Sequence, residues 1–225
     1  MKKELASINQ EGEVSVITLD DGKANVFSID MIKAVDKLLD KVPVEKGSLL
    51  ITGREGMFSG GFDLKVMAAG NIDDISNMVK AGFTLLARIY GFPRPVVIAC
   101  SGHGIALGAF LLCCADYRFG AKGDFIIGAN EVRNKMSVPA PILEISKSRI
   151  VKTHWFRAIL NAEMYPISKA VEPGYLDEVV EAKDLISKAL EKANDLATLD
   201  HPGYKITKDL DQVDILGRIN KAING

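Results

Sequence analysis

The stretches that decide the fold are Phe58-Ser-Gly-Gly-Phe-Asp-Leu-Lys65 and Ser101-Gly-His-Gly-Ile-Ala-Leu-Gly-Ala109. Each is a glycine-rich loop that follows a short apolar run with β-strand character and opens a helical pattern. Glycine lets a backbone approach a ligand closely or adopt a positive φ. A helix N-terminus presents unpaired backbone N–H groups. If the two loops converge, they offer two N–H donors for a developing oxyanion.

Neither loop is a nucleotide-binding motif. The chain lacks the Gly-x-x-x-x-Gly-Lys-Ser/Thr pattern, and the spacing Gly102-x-Gly104-x-x-x-Gly108 does not fit a dinucleotide fingerprint. Ser59 precedes two glycines but lies outside any Gly-x-Ser-x-Gly elbow, so a serine hydrolase is a minor alternative. The plainest alternative for each loop is a tight turn that only permits close packing.

Outward from these loops, strands and helices alternate, and the chain then becomes mainly helical. Strands are predicted at 14–19, 48–52, 96–100 and 116–119. Helices are predicted at 29–39, with Ser28 as N-cap, and at 75–90, 106–114, 142–150, 153–161, 167–171 and 185–199. An amphipathic stretch, 204–224, follows. This order predicts an α/β fold, with a core at residues 1–150 and a helical C-terminal part at 151–225.

Composition excludes several functional classes. The 225 residues carry 28 Lys and Arg against 29 Asp and Glu, so no basic excess points to nucleic acid. The longest apolar run, 104–115, has 12 residues, whereas a membrane span needs about 20. Cys100, Cys113 and Cys114 lie in apolar stretches without metal-ligand spacing, which favours reduced thiols and no metal site. A soluble, cytoplasmic protein without membrane association is expected.

Three motifs in the same order and at matching spacing resemble the crotonase (enoyl-CoA hydratase/isomerase) superfamily. They are the first glycine loop, the stretch from Pro93 to Gly108 that contains the second, and Ala115-Asp116-Tyr-Arg118. The resemblance covers about residues 14–177. It implies a spiral of ββα units that carries an acyl-CoA site in residues 1–150. It also implies a homotrimer or dimer of trimers assembled through the C-terminal part, and no separate cofactor, because coenzyme A belongs to the substrate.

The resemblance also implies positions for the site. The superfamily's two oxyanion donors are backbone N–H groups, which by position belong here to Phe62 and Leu107. The loop 23–27 resembles the segment beside the coenzyme A adenine, where Lys23 or Lys65 could meet a phosphate. The full set of implied substrate-binding positions is Lys23, Ala24, Val26, Gly60, Gly61, Asp63, Leu64, Lys65, His103, Gly108 and Phe110.

The acidic residues around the site indicate the reaction. Hydratases of the superfamily use two glutamates, and by position the first is replaced by Phe110 while the second is kept as Glu131. Gly128-Ala-Asn-Glu-Val132 resembles the segment around the sole catalytic glutamate of mitochondrial Δ3,Δ2-enoyl-CoA isomerases. We therefore predict that Glu131 moves a proton between C2 and C4 of a 3-enoyl-CoA. Beside Phe110 in an apolar acyl pocket, its pKa should be raised.

Alternatives remain within and outside this reaction. Hydration of a 2-enoyl-CoA is the nearest, and a CoA-binding protein without catalysis is the second. The sequence Arg133-Asn-Lys135 departs from the small residues usual after the glutamate and could alter the acyl pocket. Asp63 and Asp116 could pass for a carboxylate pair, but in the superfamily both positions are structural. His103 is more simply a polar residue of its turn.

Overall fold

A computed structural model describes residues 4–225, in which two strands followed by a helix recur four times. The first unit consists of β1 (Ala6–Glu11), β2 (Val14–Leu19) and α1 (Ile29–Leu39). The others are β3 (Ser48–Gly53), β4 (Gly56–Ser59), α2 (Leu64–Ala69) and α3 (Ile72–Tyr90); β5 (Val96–Cys100), β6 (Gly102–Ile105) and α4 (Leu107–Leu112); and β7 (Tyr117–Ala121), β8 (Ile126–Gly128) and α5 (Ala140–Lys147). The predicted α/β spiral of ββα units is confirmed.

The C-terminal part adds a strand to each sheet and two long helices, of which the first packs on the larger sheet and the second on α3 and α5. Its elements are β9 (Tyr165–Pro166), β10 (Glu178–Val180), α6 (Leu185–Ala197) and α7 (His201–Asn224). Within residues 4–225 the strands form a sheet in the order β1-β2-β3-β5-β7-β10 and a smaller one in the order β4-β6-β8-β9. The outer pairs β1–β2 and β8–β9 are antiparallel and the others parallel. None of the described helices is both long and apolar enough to cross a membrane.

Local signals account for the elements that the sequence predicts with correct bounds. Helix α1 begins after Ser28, whose side chain accepts a hydrogen bond from the Met31 N–H at 3.2 Å. Its apolar positions at helical spacing are buried against the core. Strand β5 is buried on both faces, which its continuous apolar sequence indicates. Packing on both sides of the larger sheet therefore follows from the sequence pattern.

The short strands and irregular turns were not predicted. Residues 101–104, expected to be a turn, contain most of β6, which pairs with β4 so closely that a Cβ on Gly102 would lie 2.0 Å from the Gly56 carbonyl carbon. Strands β1, β4, β8, β9 and β10 were also missed, because pairing rather than local pattern defines them. The helices predicted at 153–161 and 167–171 are short 3-10 and π turns, Lys152–His154, Phe156–Leu160 and Ile167–Lys169.

Asp116 joins the C-terminal helix to the larger sheet. Its Oδ2 accepts hydrogen bonds from the Val96 N–H at 2.7 Å, the Tyr204 hydroxyl at 2.8 Å and the Lys208 Nζ at 2.8 Å. Burial lowers the pKa of Lys208, and the Asp116 carboxylate opposes that shift. Asp116 therefore holds α7 against the start of β5.

Candidate active site

A cavity of about 120 Å³ opens where the two glycine loops meet α3 and the segment between β8 and α5. Most of its wall is apolar, with polar groups gathered after β8. The lining residues are Gly60, Phe62, Leu64, Met67, Val79, Phe83, Ala106, Leu107, Asn130, Glu131, Asn134, Met136, Ser137, Pro139 and Ile142. An apolar cavity with few polar groups is the usual form of a small-molecule site.

The backbone N–H groups of Phe62 and Leu107 lie at one wall of this cavity. Neither donates a hydrogen bond to another residue in the described range 4–225. Gly61 has φ +90°, and a Cβ built on it would lie 3.3 Å from the Leu107 nitrogen. The two loops therefore touch at the two predicted donors. Both groups remain available to a carbonyl oxygen of a bound molecule.

Backbone strain occurs directly beside the second donor. Ala106 has φ 52° and ψ −122°, a region that residues with a Cβ rarely adopt. Its N–H donates to the Gly128 carbonyl at 3.0 Å, which holds the turn in place. Leu107 follows as the first residue of α4, so its N–H is one of those that a helix leaves unpaired. Strain of this kind is commonly retained at functional sites.

Glu131 supplies the titratable group of the cavity. It follows β8, the residue is 8% exposed, and within residues 4–225 its Oε2 has no hydrogen-bond partner. Burial raises its pKa from 4.5 to about 7, and a hydrogen bond with its own backbone opposes that shift. A base with a pKa near the working pH is effective in proton transfer. The arrangement can remove a proton from a molecule whose oxygen faces Phe62 and Leu107.

Residues 9–210 match the family model described as enoyl-CoA hydratase/isomerase. The chain belongs to the enoyl-CoA hydratase/isomerase family. It is thus an enzyme of acyl-CoA chemistry with the crotonase fold. Among curated relatives, it is 27% identical to rat mitochondrial enoyl-CoA delta isomerase 1 over 213 residues, which cover 90% of this chain and 72% of that protein.

Solved structures of the same family superpose over nearly the whole chain. An enoyl-CoA hydratase/isomerase family protein of Pseudomonas syringae has a TM-score of 0.94 at 37% identity and covers 97% of this chain and 95% of its own. Two structures of one Mycobacterium tuberculosis protein also superpose. In the structure that describes it as an enoyl-CoA isomerase, the TM-score is 0.91 at 35% identity, with 99% of this chain and 97% of that chain covered. In the structure that describes it as a probable enoyl-CoA hydratase, the TM-score is 0.92 at 36% identity, with 98% and 94% covered.

The loop that the family resemblance places beside coenzyme A lies against the first glycine loop. The Ala24 carbonyl accepts a hydrogen bond from the Gly60 N–H at 2.8 Å, and a Cβ on Gly60 would lie 3.9 Å from Val26 Cγ1. The Lys23 side chain is exposed, and its carbonyl accepts from Arg54. Lys23, Ala24 and Val26 therefore lie beside Gly60 but do not line the cavity.

Two implied residues lie in a neighbouring cleft rather than in the cavity. The Asp63 carboxylate accepts a hydrogen bond from the Lys65 N–H at 2.9 Å and caps α2, which fits a structural role. Both residues line a wider cleft of about 870 Å³ between α1, α2 and α3, where Lys33 also lies. Leu64 lies between them in sequence, is largely exposed to solvent, and lines the cavity.

Phe110, His103 and Gly108 also lie outside the cavity. Phe110 is fully buried in the core and does not line it, so the side-chain role predicted for Phe110 does not fit. His103 Nδ1 accepts from the Ile126 N–H at 3.2 Å, and its ring packs edge-on against Phe125, away from the donors. Gly108 lies behind the first loop, where a Cβ would be 2.5 Å from the Ser59 carbonyl oxygen.

The two long basic side chains after Glu131, Arg133 and Lys135, do not enter the cavity. The exposed Arg133 donates from Nε to the Ala162 carbonyl at 2.5 Å, and Lys135 ends the 3-10 turn with φ 60°. Neither side chain lines the cavity, whereas Asn134 does. The apolar wall from α2, α3 and α5 was not predicted. The buried face of α3, with Val79 and Phe83 one turn apart, is the sequence signal that could have indicated it.

Asn25 fixes the loop behind the oxyanion donors, and its replacement should be costly. Its buried Nδ2 donates to the carbonyls of Leu19, Met57 and Phe58, at 2.9, 3.1 and 3.2 Å. Its φ of 48° is better tolerated by asparagine than by alanine. Asn25→Ala should therefore lower the free energy of unfolding by about 2–4 kcal/mol in urea titrations. The exposed Asn194→Ala is the control, and an equal loss in both variants would contradict this role.

Proposed function

We propose that the protein is an enoyl-CoA isomerase that shifts the double bond of a 3-enoyl-CoA to position 2. The observation that carries the proposal is the single base. Among the described residues that line the cavity, Glu131 is the one carboxylate, and it shares the cavity with the Phe62 and Leu107 N–H groups. One base and one oxyanion site are sufficient for an isomerisation, because the proton that leaves C2 returns to C4.

The reaction follows from these groups without a co-reactant. The thioester oxygen accepts hydrogen bonds from Phe62 and Leu107, which stabilise the negative charge that develops on it. The Glu131 carboxylate removes a proton from C2, and the electron pair of that C–H bond forms the enolate conjugated with the C3–C4 double bond. Glu131 then returns the proton to C4. The double bond is left between C2 and C3, and the carboxylate is regenerated.

Hydration of a 2-enoyl-CoA is the second candidate. The polar side chains of Asn130, Asn134 and Ser137 line the cavity beside Glu131, and such groups could hold a water molecule. The similar M. tuberculosis protein is described as a probable hydratase in one structure and as an isomerase in another, so that similarity favours neither reaction. Against hydration, the position where hydratases place the first of their two glutamates is Phe110, which is buried in the core.

Assays with two substrates distinguish these candidates. The purified protein is given 3-hexenoyl-CoA, with formation of the conjugated 2-enoyl thioester as the readout, and separately crotonyl-CoA, with loss of conjugation as the readout. We expect kcat/KM to be at least about 100-fold higher for 3-hexenoyl-CoA, the scale of one missing acid–base group. Faster turnover of crotonyl-CoA would favour hydration.

The raised pKa of Glu131 predicts the pH dependence of the reaction. The group acts as a base only when it is ionised, so kcat/KM should increase with pH and level off above about 7. An ordinary glutamate with a pKa of 4.5 would give a rate that is already constant near pH 6. Initial rates with 3-hexenoyl-CoA between pH 5 and pH 9 measure this, and a flat profile would contradict the assignment.

A further inference from the structure

The aromatic ring of Phe62 rests on a glycine in the middle of α3. A Cβ built on Gly82 would lie 2.5 Å from Phe62 Cε1, 2.7 Å from Phe62 Cζ and 3.4 Å from Leu107 Cδ2. Carbon atoms in contact are normally about 3.5–4.0 Å apart. A methyl group at position 82 and the present position of the ring therefore exclude each other.

The Phe62 ring lies between Gly82 and the cavity. Val79 and Phe83, on the same face of α3 as Gly82, line the cavity, as does Phe62, whereas Gly82 does not. Phe83 packs edge-on against the ring, with 5.9 Å between ring centroids, and Leu107 Cδ2 also lies close to position 82. A ring displaced from Gly82 thus has its free space in the cavity.

We propose that Gly82 is a specificity-determining residue, whose missing side chain seats the Phe62 ring and keeps open the part of the cavity that takes the acyl chain. The proposal rests on the proposed acyl-CoA function of this cavity. Glycine is a poor helix former, so an alanine at position 82 should favour α3 itself. A loss of thioester affinity in Gly82→Ala must then come from the displaced Phe62 ring.

Binding of saturated thioesters tests this without turnover. Butyryl-, hexanoyl- and octanoyl-CoA are titrated by calorimetry into the wild type, Gly82→Ala, Phe62→Leu and the double variant. In Gly82→Ala, octanoyl-CoA should bind about 15-fold more weakly. This is the loss expected when two methylene groups of the acyl chain are no longer buried, because each buried methylene lowers Kd about 4-fold. Butyryl-CoA should change by less than about 2-fold, since it does not fill that part of the cavity.

Two further variants make the result specific. Phe62→Leu lacks the ring atoms that crowd position 82, so the loss for octanoyl-CoA should fall below about 2-fold when Gly82→Ala is introduced in that background. The ratio of octanoyl-CoA affinity to butyryl-CoA affinity should be higher in Phe62→Leu than in the wild type. If Gly82→Ala does not fold, this ratio tests the proposal, and an unchanged ratio would contradict it. Gly217→Ala, in the exposed face of α7 with no atom within 4 Å, is the matched control and should bind as the wild type.

The outcomes separate the two proposals. A loss in Gly82→Ala that is equal for all three thioesters, or no loss at all, overturns the role of Gly82 while the function stands. A loss that persists in the Phe62→Leu background also overturns it. A wild type that binds none of the three thioesters overturns the proposed function, and the inference with it.

Discussion

Glu131→Gln should lower kcat for the isomerisation of 3-hexenoyl-CoA about 1000-fold, with KM nearly unchanged. The amide has the shape of the carboxylate but cannot accept the C2 proton, and a positioned base contributes about 10²–10⁴-fold to such a step. The oxyanion donors of Phe62 and Leu107 are untouched, so thioester binding should persist. Initial-rate assays over a range of substrate concentrations measure the change. A variant with full activity would show that another group is the base.

The same substitution should make the protein more stable above neutral pH. Glu131 ionises near pH 4.5 in the unfolded chain and near pH 7 in the folded protein. The buried charge therefore does not cost stability below pH 4.5, where the carboxyl is protonated in both states, and the wild type loses stability as the pH rises from 4.5 to 7. The difference between the two pKa values corresponds to about 3 kcal/mol, which Glu131→Gln should regain at pH 8. Urea titrations at pH 4.5 and pH 8 measure this difference.

Glu144→Gln is the matched control for both effects. Glu144 accepts hydrogen bonds from Arg218 at 2.7 Å and Lys147 at 3.0 Å, and the bond with Arg218 is the main cause of its lowered pKa. Its carboxylate stabilises the fold above the unfolded pKa, so Glu144→Gln should lose stability at pH 8, by less than about 1 kcal/mol. It lies outside the cavity and should retain the wild-type kcat. Equal stability changes in the two variants would contradict the burial argument.

Gly61→Ala should lower kcat about 100-fold by displacing the oxyanion donors. Gly61 has φ +90°, and a Cβ there would lie 2.8 Å from Ala106 Cβ and 3.1 Å from the Ile105 carbonyl oxygen. The two loops must then separate, which moves the N–H groups of Phe62 and Leu107 apart. Loss of one oxyanion donor costs about 10²–10³-fold in kcat. Steady-state rates with 3-hexenoyl-CoA measure this, with circular dichroism to show that the variant is folded.

Gly70→Ala separates crowding from backbone strain. Gly70 also has a positive φ, +73°, but no atom lies within 4 Å of a Cβ built there. Both substitutions carry the left-handed penalty of about 1–2 kcal/mol. Only Gly61→Ala crowds the second loop, so Gly70→Ala should retain the wild-type kcat. A similar decrease in both variants would mean that the convergence of the loops does not matter for catalysis.

The framework of this site could be predicted from the sequence because its signals are local. Gly60 and Gly61, between β4 and α2, and Gly108, in the first turn of α4, indicate where backbone N–H groups can converge, and the structure places Gly61 beside Leu107. The bounds of α1 and β5 follow from apolar spacing and, for α1, from its Ser28 cap. Motif position indicated Glu131, and the structure places it in the same cavity.

The surroundings of Glu131 could not be predicted because they come from distant parts of the chain. The raised pKa was expected, but the expected neighbour, Phe110, points into the core. The apolar wall instead includes Phe83 of α3 and Ile142 of α5, some 50 residues away on one side and 10 on the other. All of α4 is buried, so its sequence does not show that Phe110 packs into the core and away from the cavity. The sequence also does not show that the Phe62 ring packs on Gly82, since the two residues are 20 positions apart.

A crystal structure with bound hexanoyl-CoA tests the central claim, a single base opposite two backbone donors, most directly. We expect the thioester oxygen about 2.7–3.1 Å from both the Phe62 and Leu107 nitrogens. We expect a Glu131 carboxylate oxygen about 3–3.5 Å from C2, with no second carboxylate facing the acyl chain. A thioester oxygen bound away from these two N–H groups, or another carboxylate facing C2, would contradict the account.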